Sequence, residues 1–242
     1  LQDRCRLACQ KGALATGRLK AIPSRGSLLE MRDSDYISCL RFWLGLPLMV
    51  LPDGAFAKCP ACGDPADTFG DHFLCCRLNG LAERHNALRD EILDVCNKSG
   101  IAARAEQGCF EDTRDADLLL VGWCKGRSTA VDFTVVHPLG PSHWPLRLED
   151  AAREMKAAES RKVAVAEERC RFAGWTYTAA AFSPWGMPGP SGKGLMQEIG
   201  RRAVASLAGW EKTRRQLQIN EGISVTLQQQ IARQLSLRYR VL

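Results

Sequence analysis

Two apolar runs limit what this chain can fold into more than any other feature. One is Ala116-Asp117-Leu118-Leu119-Leu120-Val121-Gly122-Trp123. The other is Thr129-Ala130-Val131-Asp132-Phe133-Thr134-Val135-Val136. Both are short and rich in aliphatic and β-branched residues, which marks them as strands. The turn residues Cys124-Lys125-Gly126-Arg127 between them predict a hairpin. Each run carries one ionisable residue, Asp117 or Asp132. An ionised carboxylate in such a place is costly unless it is paired or holds a metal ion.

The rest of the chain supplies helices around these strands. Residues 3–20 and the run Tyr36 to Leu44 read as two helical pieces, the second ended by Pro47 and Pro52-Asp53-Gly54. Residues 81–98 are amphipathic, with Leu81, Leu88, Ile92, Leu93, Val95 and Cys96 on the apolar side and Ser99-Gly100 as the stop. Residues 101–108 predict a first strand. Residues 137–147 hold Pro138, Pro141 and Pro145 and read as a loop. Residues 148–172 contain neither Gly nor Pro and predict a long helix. A fourth strand follows over 175–182, then a Gly/Pro loop, then helices over 195–217 and 224–238. That order predicts an α/β sandwich around a mixed four-stranded sheet. The expected units are an N-terminal helical segment (1–54), a cysteine-rich knuckle (55–80), an α/β domain (81–205) and a basic helical tail (206–242).

The knuckle rests on ligand spacing. Cys59-Pro60-Ala61-Cys62 puts two thiols on one tight turn, and His72 and Cys75-Cys76 follow after a Gly/Asp-rich loop. Zinc takes four nitrogen or sulfur ligands at tetrahedral angles, and a two-residue gap lets one turn supply a pair. Cys59, Cys62, His72 and Cys76 are the expected ligands of a structural Zn²⁺, with Cys75 the competitor for the fourth place. The alternative is a chance pair of reduced cysteines. The chain has 11 cysteines, an odd number, and Cys96, Cys124 and Cys170 stand alone in apolar settings. That pattern predicts free thiols in a reducing, intracellular compartment rather than a disulfide scaffold.

Bulk properties exclude little else. No apolar run reaches the roughly 18 residues a membrane helix needs. The chain opens Leu1-Gln2-Asp3-Arg4, with neither a start methionine nor a signal peptide, and reads as a piece of a longer protein. The net charge is +6, and Arg201, Arg202, Lys212, Arg214, Arg215, Arg233, Arg238 and Arg240 load the C-terminal part. Such clustering predicts sequence-independent attraction to nucleic acid.

The carboxylates point to chemistry. If the four-residue turn over 124–127 closes the hairpin, residue 119 faces 132 and residue 117 faces 134. Asp117 and Asp132 then lie diagonal on one face, within reach of one ion. Two hard oxygen donors suit Mg²⁺ or Mn²⁺. The bland reading is a strand-end aspartate beside a buried, hydrogen-bonded one. On the long helix Ala152, Met155, Glu159, Lys162 and Ala166 share a face that should meet the sheet. Glu159 and Lys162 are polar exceptions there, and Lys162 could stabilise charge on a phosphate or snorkel beside a salt bridge. Glu106 on the first strand is a further candidate acid. His85 at the start of the 81–98 helix could touch a phosphate or water, or cap the helix; His137 and His143 receive no role.

Taken in order, these residues resemble a known family. Cys59 to Cys62, Phe69-Gly70-Asp71-His72 through Cys76, Glu83-Arg84-His85, the runs around Asp117 and Asp132 as far as His137-Pro138-Leu139, and Glu159 through Lys162 resemble the C-terminal region of reverse-transcriptase polyproteins from non-LTR retrotransposons of the restriction-like-endonuclease type. The likeness spans about residues 36–205. It implies a PD-(D/E)XK restriction-endonuclease-like core and a divalent-metal-dependent DNA endonuclease that nicks its insertion site. It implies that Asp117 and Asp132 hold the catalytic metal and that Lys162 is an active-site lysine displaced onto the helix. The implied partners are target DNA and the reverse-transcriptase portion of the polyprotein, with element RNA a further candidate; the implied location is nuclear. Two departures stand out. Ala116, preceded by Asp115, replaces the usual proline before the first aspartate, and Ala166 replaces a tyrosine often found four residues after the lysine. The rival readings are a zinc-stabilised nucleic-acid-binding module and a decayed remnant without cleavage.

Overall fold

The structure is a computed structural model, and it describes residues 2–22, 29–49, 57–109, 116–140 and 151–236. His143, Arg238, Arg240 and the first residues of the predicted 148–172 helix lie outside these segments. The chain begins with α1 (Gln2–Cys9), α2 (Ala13–Thr16), a 3-10 turn (Gly17–Leu19) and α3 (Asp33–Leu44). The knuckle holds β1 (Ala57–Lys58), β2 (Pro65–Ala66) and α4 (Asp71–Cys75). Then come α5 (Leu81–Lys98), β3 (Ala103–Gln107), β4 (Ala116–Cys124), β5 (Arg127–Val135), α6 (Ala151–Phe172), β6 (Thr176–Phe182), α7 (Pro190–Ala203) and α8 (Gly209–Ser236).

The main sheet runs β3-β4-β5-β6. β3 to β5 are antiparallel, and β5 pairs with β6 in parallel, with α6 lying between them in the chain. The protein is therefore α/β with a four-stranded mixed sheet flanked by helices. Alternation decides the layers. Leu118, Leu120, Val131, Phe133 and Phe182 face a core built with α5, α7 and the first half of α8. The opposite face meets α6, through Met155, Ala158 and Ala181 and through Leu119, Ala130 and Cys170.

The hairpin register differs from that expected from the turn at 124–127. Leu118 pairs with Val131 and Leu119 with Ala130, so continuing the ladder sets Asp117 opposite Asp132 rather than diagonal to it. An irregularity between Leu120 and Cys124 shifts the pairing. Gly122 there has φ +62°, a conformation in which glycine carries no Cβ penalty.

The described C-terminal residues pack into the fold. The two helices expected over 195–217 and 224–238 are divided elsewhere, into α7 and one 28-residue α8. Ile219 and Ile223 of α8 enter the sheet core, and Leu227, Ile231 and Leu235 enter a second core with Phe42, Phe73, Leu74 and Trp185. Gly222 sits inside α8, facing the Glu91 carboxylate of α5. Several expected phosphate-binding cations are held locally. Arg201 and Arg202 both bond to Glu198 at 2.7 Å, and Arg202 also covers the Trp123 ring.

Candidate active site and metal centre

Asp117 and Asp132 project on the α6 side of the sheet, because Leu118, Val131 and Phe133 point to the other face. Each carboxylate oxygen accepts a hydrogen bond. His85 Nε2 lies 2.9 Å from Asp117 Oδ1, and the Phe133 backbone N–H donates to Asp117 Oδ2 at 2.6 Å. Lys162 Nζ donates to Asp132 Oδ1 at 2.6 Å. The Tyr177 hydroxyl donates to Asp132 Oδ2 at 3.0 Å. Burial without such donors would be costly for either acid.

The two acids are driven apart in acidity. Burial works to raise Asp117, but bonds from His85 and the Asp132 side chain, with the Phe133 N–H, outweigh it and hold Asp117 at about 2. Asp132 is raised, first by burial and then by the neighbouring Asp117, against the pull of Lys162. Adjacent carboxylates with opposed acidity are a mark of functional sites.

Helical periodicity brings Lys162 to the pair. Met155, Glu159 and Ala166 on the same stripe of α6 are buried, while Lys156 on another face is exposed. Tyr177 was not among the residues singled out from sequence. The signal was available: in β6, Tyr177, Ala179 and Ala181 alternate onto the α6 side, and only Tyr177 among them carries a polar atom. Its phenol is pushed up by burial and then by Asp132.

Two candidates go elsewhere. Glu159 accepts backbone N–H groups of Ala181 at 3.2 Å, Ser191 at 3.0 Å and Gly192 at 2.9 Å. It caps the start of α7, where a buried negative charge meets the positive end of the helix. Glu106 has φ +48° and its carboxylate meets Arg89 of α5 at 2.5 Å. So His85, Asp117, Asp132 and Lys162 come together, Tyr177 joins them, and Glu106 and Glu159 serve other contacts.

In the knuckle, the ligand atoms of Cys59, Cys62, His72 and Cys76 all lie within 4.8 Å of one another. Cys59 and Cys76 sulfurs are 3.8 Å apart, and Cys62 Sγ is 3.3 Å from His72 Nε2. Sulfurs each about 2.3 Å from a tetrahedral ion are themselves about 3.8 Å apart, so the set fits a metal such as zinc. Burial works to raise the Cys59 thiol. The backbone N–H groups of Cys62 and Ala61, with His72, overcome it and bring the thiol down to about 6. Asp67 builds the second half of the loop, accepting backbone N–H groups of Phe69, Asp71 and His72 at 2.7–3.0 Å. Cys75 turns away from this group. Its sulfur lies against Gly140, and burial raises its thiol to about 12. Cys76 therefore completes the four.

The knuckle is tied to the sheet through Arg84. This buried guanidinium, lowered to about 10 by desolvation, donates to Leu74 O at 3.3 Å, Gln234 Oε1 at 3.0 Å and Val135 O at 3.3 Å. His137 adds a second tie, 2.8 Å from Asp71 at the start of α4. His85 is the next residue after Arg84 on α5, so the anchor that docks the knuckle also sets the histidine against Asp117. No protein-family model, curated protein or solved structure matches this chain.

Proposed function

We propose that the chain is a divalent-metal-dependent DNA endonuclease of restriction-like type, preceded by a structural Cys–Cys–His–Cys zinc knuckle, and that it nicks target DNA for insertion of a non-LTR retrotransposon. The observation that carries this reading is the facing pair Asp117 and Asp132 with Lys162 Nζ 2.6 Å from Asp132 Oδ1. The ordered resemblance of the motifs supports the same reading, and so does the all-oxygen donor set, which fits Mg²⁺ or Mn²⁺. A cation held there would act as a Lewis acid on a phosphoryl oxygen and ease ionisation of water.

The chain's own groups then have distinct tasks. Asp117 and Asp132 provide the hard oxygens. Lys162 brings a positive charge to the edge of the pair, where it offsets charge developing on a phosphate or orients the attacking water. His85 is one-quarter exposed and held by Asp117, which suits it to carry a proton between site and solvent. Tyr177 fixes the plane of the Asp132 carboxylate. In this reading the hydroxyl missing at Ala166 has a counterpart in Tyr177.

The test is nicking of supercoiled plasmid in Mg²⁺ by the wild type beside Asp132→Ala. Nicking by the wild type alone supports the endonuclease. DNA binding with no nicking by either protein favours the binding-module reading.

A further inference from the structure

Away from the carboxylate pair, the turn between α1 and α2, the start of α6, the segment leading into α7, and α7 and α8 enclose a cavity of about 850 Å³. That volume falls in the range of small-molecule and cofactor sites. Its floor is apolar, with Leu14, Met187 and Met196 among the lining residues. Its rim carries Lys11, Lys193, Arg201 and Lys212, and no carboxylate among the described residues lines it. Glu198 already holds Arg201. None of the three lysines pairs with a carboxylate among the described residues, and all three are exposed.

An apolar floor inside a rim of exposed lysines selects for a partner that is both apolar and anionic. Nucleic acid fits poorly. No aromatic ring among the described residues lines the cavity for a base to stack on. Duplex DNA presents charge but little apolar surface to a floor of this kind. An amphipathic helix fits better, since it lays an apolar stripe into a groove while its flanks reach the rim. Two methionines in the lining suit such a surface, because their side chains adapt to irregular shapes.

We infer that this cavity is a docking site for an acidic amphipathic helix of a protein partner, held by apolar contact with the floor and by charge with Lys11, Lys193 and Lys212. The probe is a fluorescein-labelled synthetic peptide of Leu and Glu in helical repeat, with a Leu/Lys peptide of the same pattern as control. Fluorescence anisotropy with the full chain should show saturable binding of the Leu/Glu peptide only. Reversing all three exposed lysines to Glu should weaken it at least roughly tenfold, and the Gln triple variant should lose less. Circular dichroism checks that both variants remain folded. Absence of binding, or equal binding to the Glu variant, would overturn the inference. So would displacement of the peptide by a thymidine oligonucleotide or by decanoate, which would make the cavity a nucleic-acid or small-acid site instead.

Discussion

Lys162 of α6 donates to Asp132 of β5 at 2.6 Å, across 30 residues of chain. The contact joins the helix that covers the sheet to the carboxylate whose acidity is weakened. It also leaves Asp117 to a different partner, His85. The facing acids are thus unequal, and the inequality can be measured.

Asp117, held at about 2, is ionised more readily in the folded than in the unfolded protein. Its contribution of about 2 kcal/mol is present above the ordinary aspartate range and fades as pH falls through 2. Asp132 is shifted the other way. Its ionisation opposes folding, and that penalty is absent at low pH and in force once pH rises past its folded value. In buffer without added Mg²⁺ at neutral pH, Asp117→Asn should lower the melting temperature and Asp132→Asn should raise it or leave it unchanged. Equal losses in both would contradict the assigned shifts.

Removal of a zinc ion held as proposed by Cys59, Cys62, His72 and Cys76 should reach the carboxylate pair. Cys59→Ser, or a strong chelator, should release one equivalent of zinc and destabilise the protein by several kcal/mol. Hydrogen exchange should rise over 57–76 and also at the start of α5, because Arg84 ties Leu74 to Val135. A zinc content of zero in protein purified without chelator, or exchange confined to the knuckle, would contradict this coupling.

Much of this was legible in the sequence, for physical reasons. The two short apolar runs and the Gly-free run of α6 located the sheet and its crossover helix, and the two-residue gap of Cys59 and Cys62 located the cysteine cluster. The register was not legible. A bulge at Gly122 costs no hydrophobic pattern, so nothing in residue order signals the shift that brings Asp117 directly opposite Asp132. Glu159 looked catalytic because it is a charge on a buried stripe. Its true partners are backbone N–H groups of α7, which no side-chain pattern announces. The basic residues after 200 drew attention from the apolar face of α8, which runs through two cores.

Tyr177→Phe isolates the hydroxyl. The ring packs beside Ala116, Leu119, Ala130 and Cys170, so the variant should fold with a melting temperature near that of the wild type. Without the donor the Asp132 carboxylate can rotate, and a misplaced metal ligand typically costs about tenfold or more in activity. The expected signature is a fall in kcat with an unchanged KM for DNA and a higher Mg²⁺ requirement. An unchanged kcat would remove Tyr177 from the site.

The central claim is that Asp132 and Lys162 form one cleavage site, and the contrast of two lysines tests it most directly. Lys156 lies six residues before Lys162, about 120° away around the helix, and is exposed. Plasmid nicking in Mg²⁺ should be lost in Lys162→Ala, by about a hundredfold or more, with Mn²⁺ affinity by calorimetry retained, while Lys156→Ala cuts like the wild type. A Lys162→Ala variant that nicks at the wild-type rate, or a dead Lys156→Ala beside it, would contradict the site.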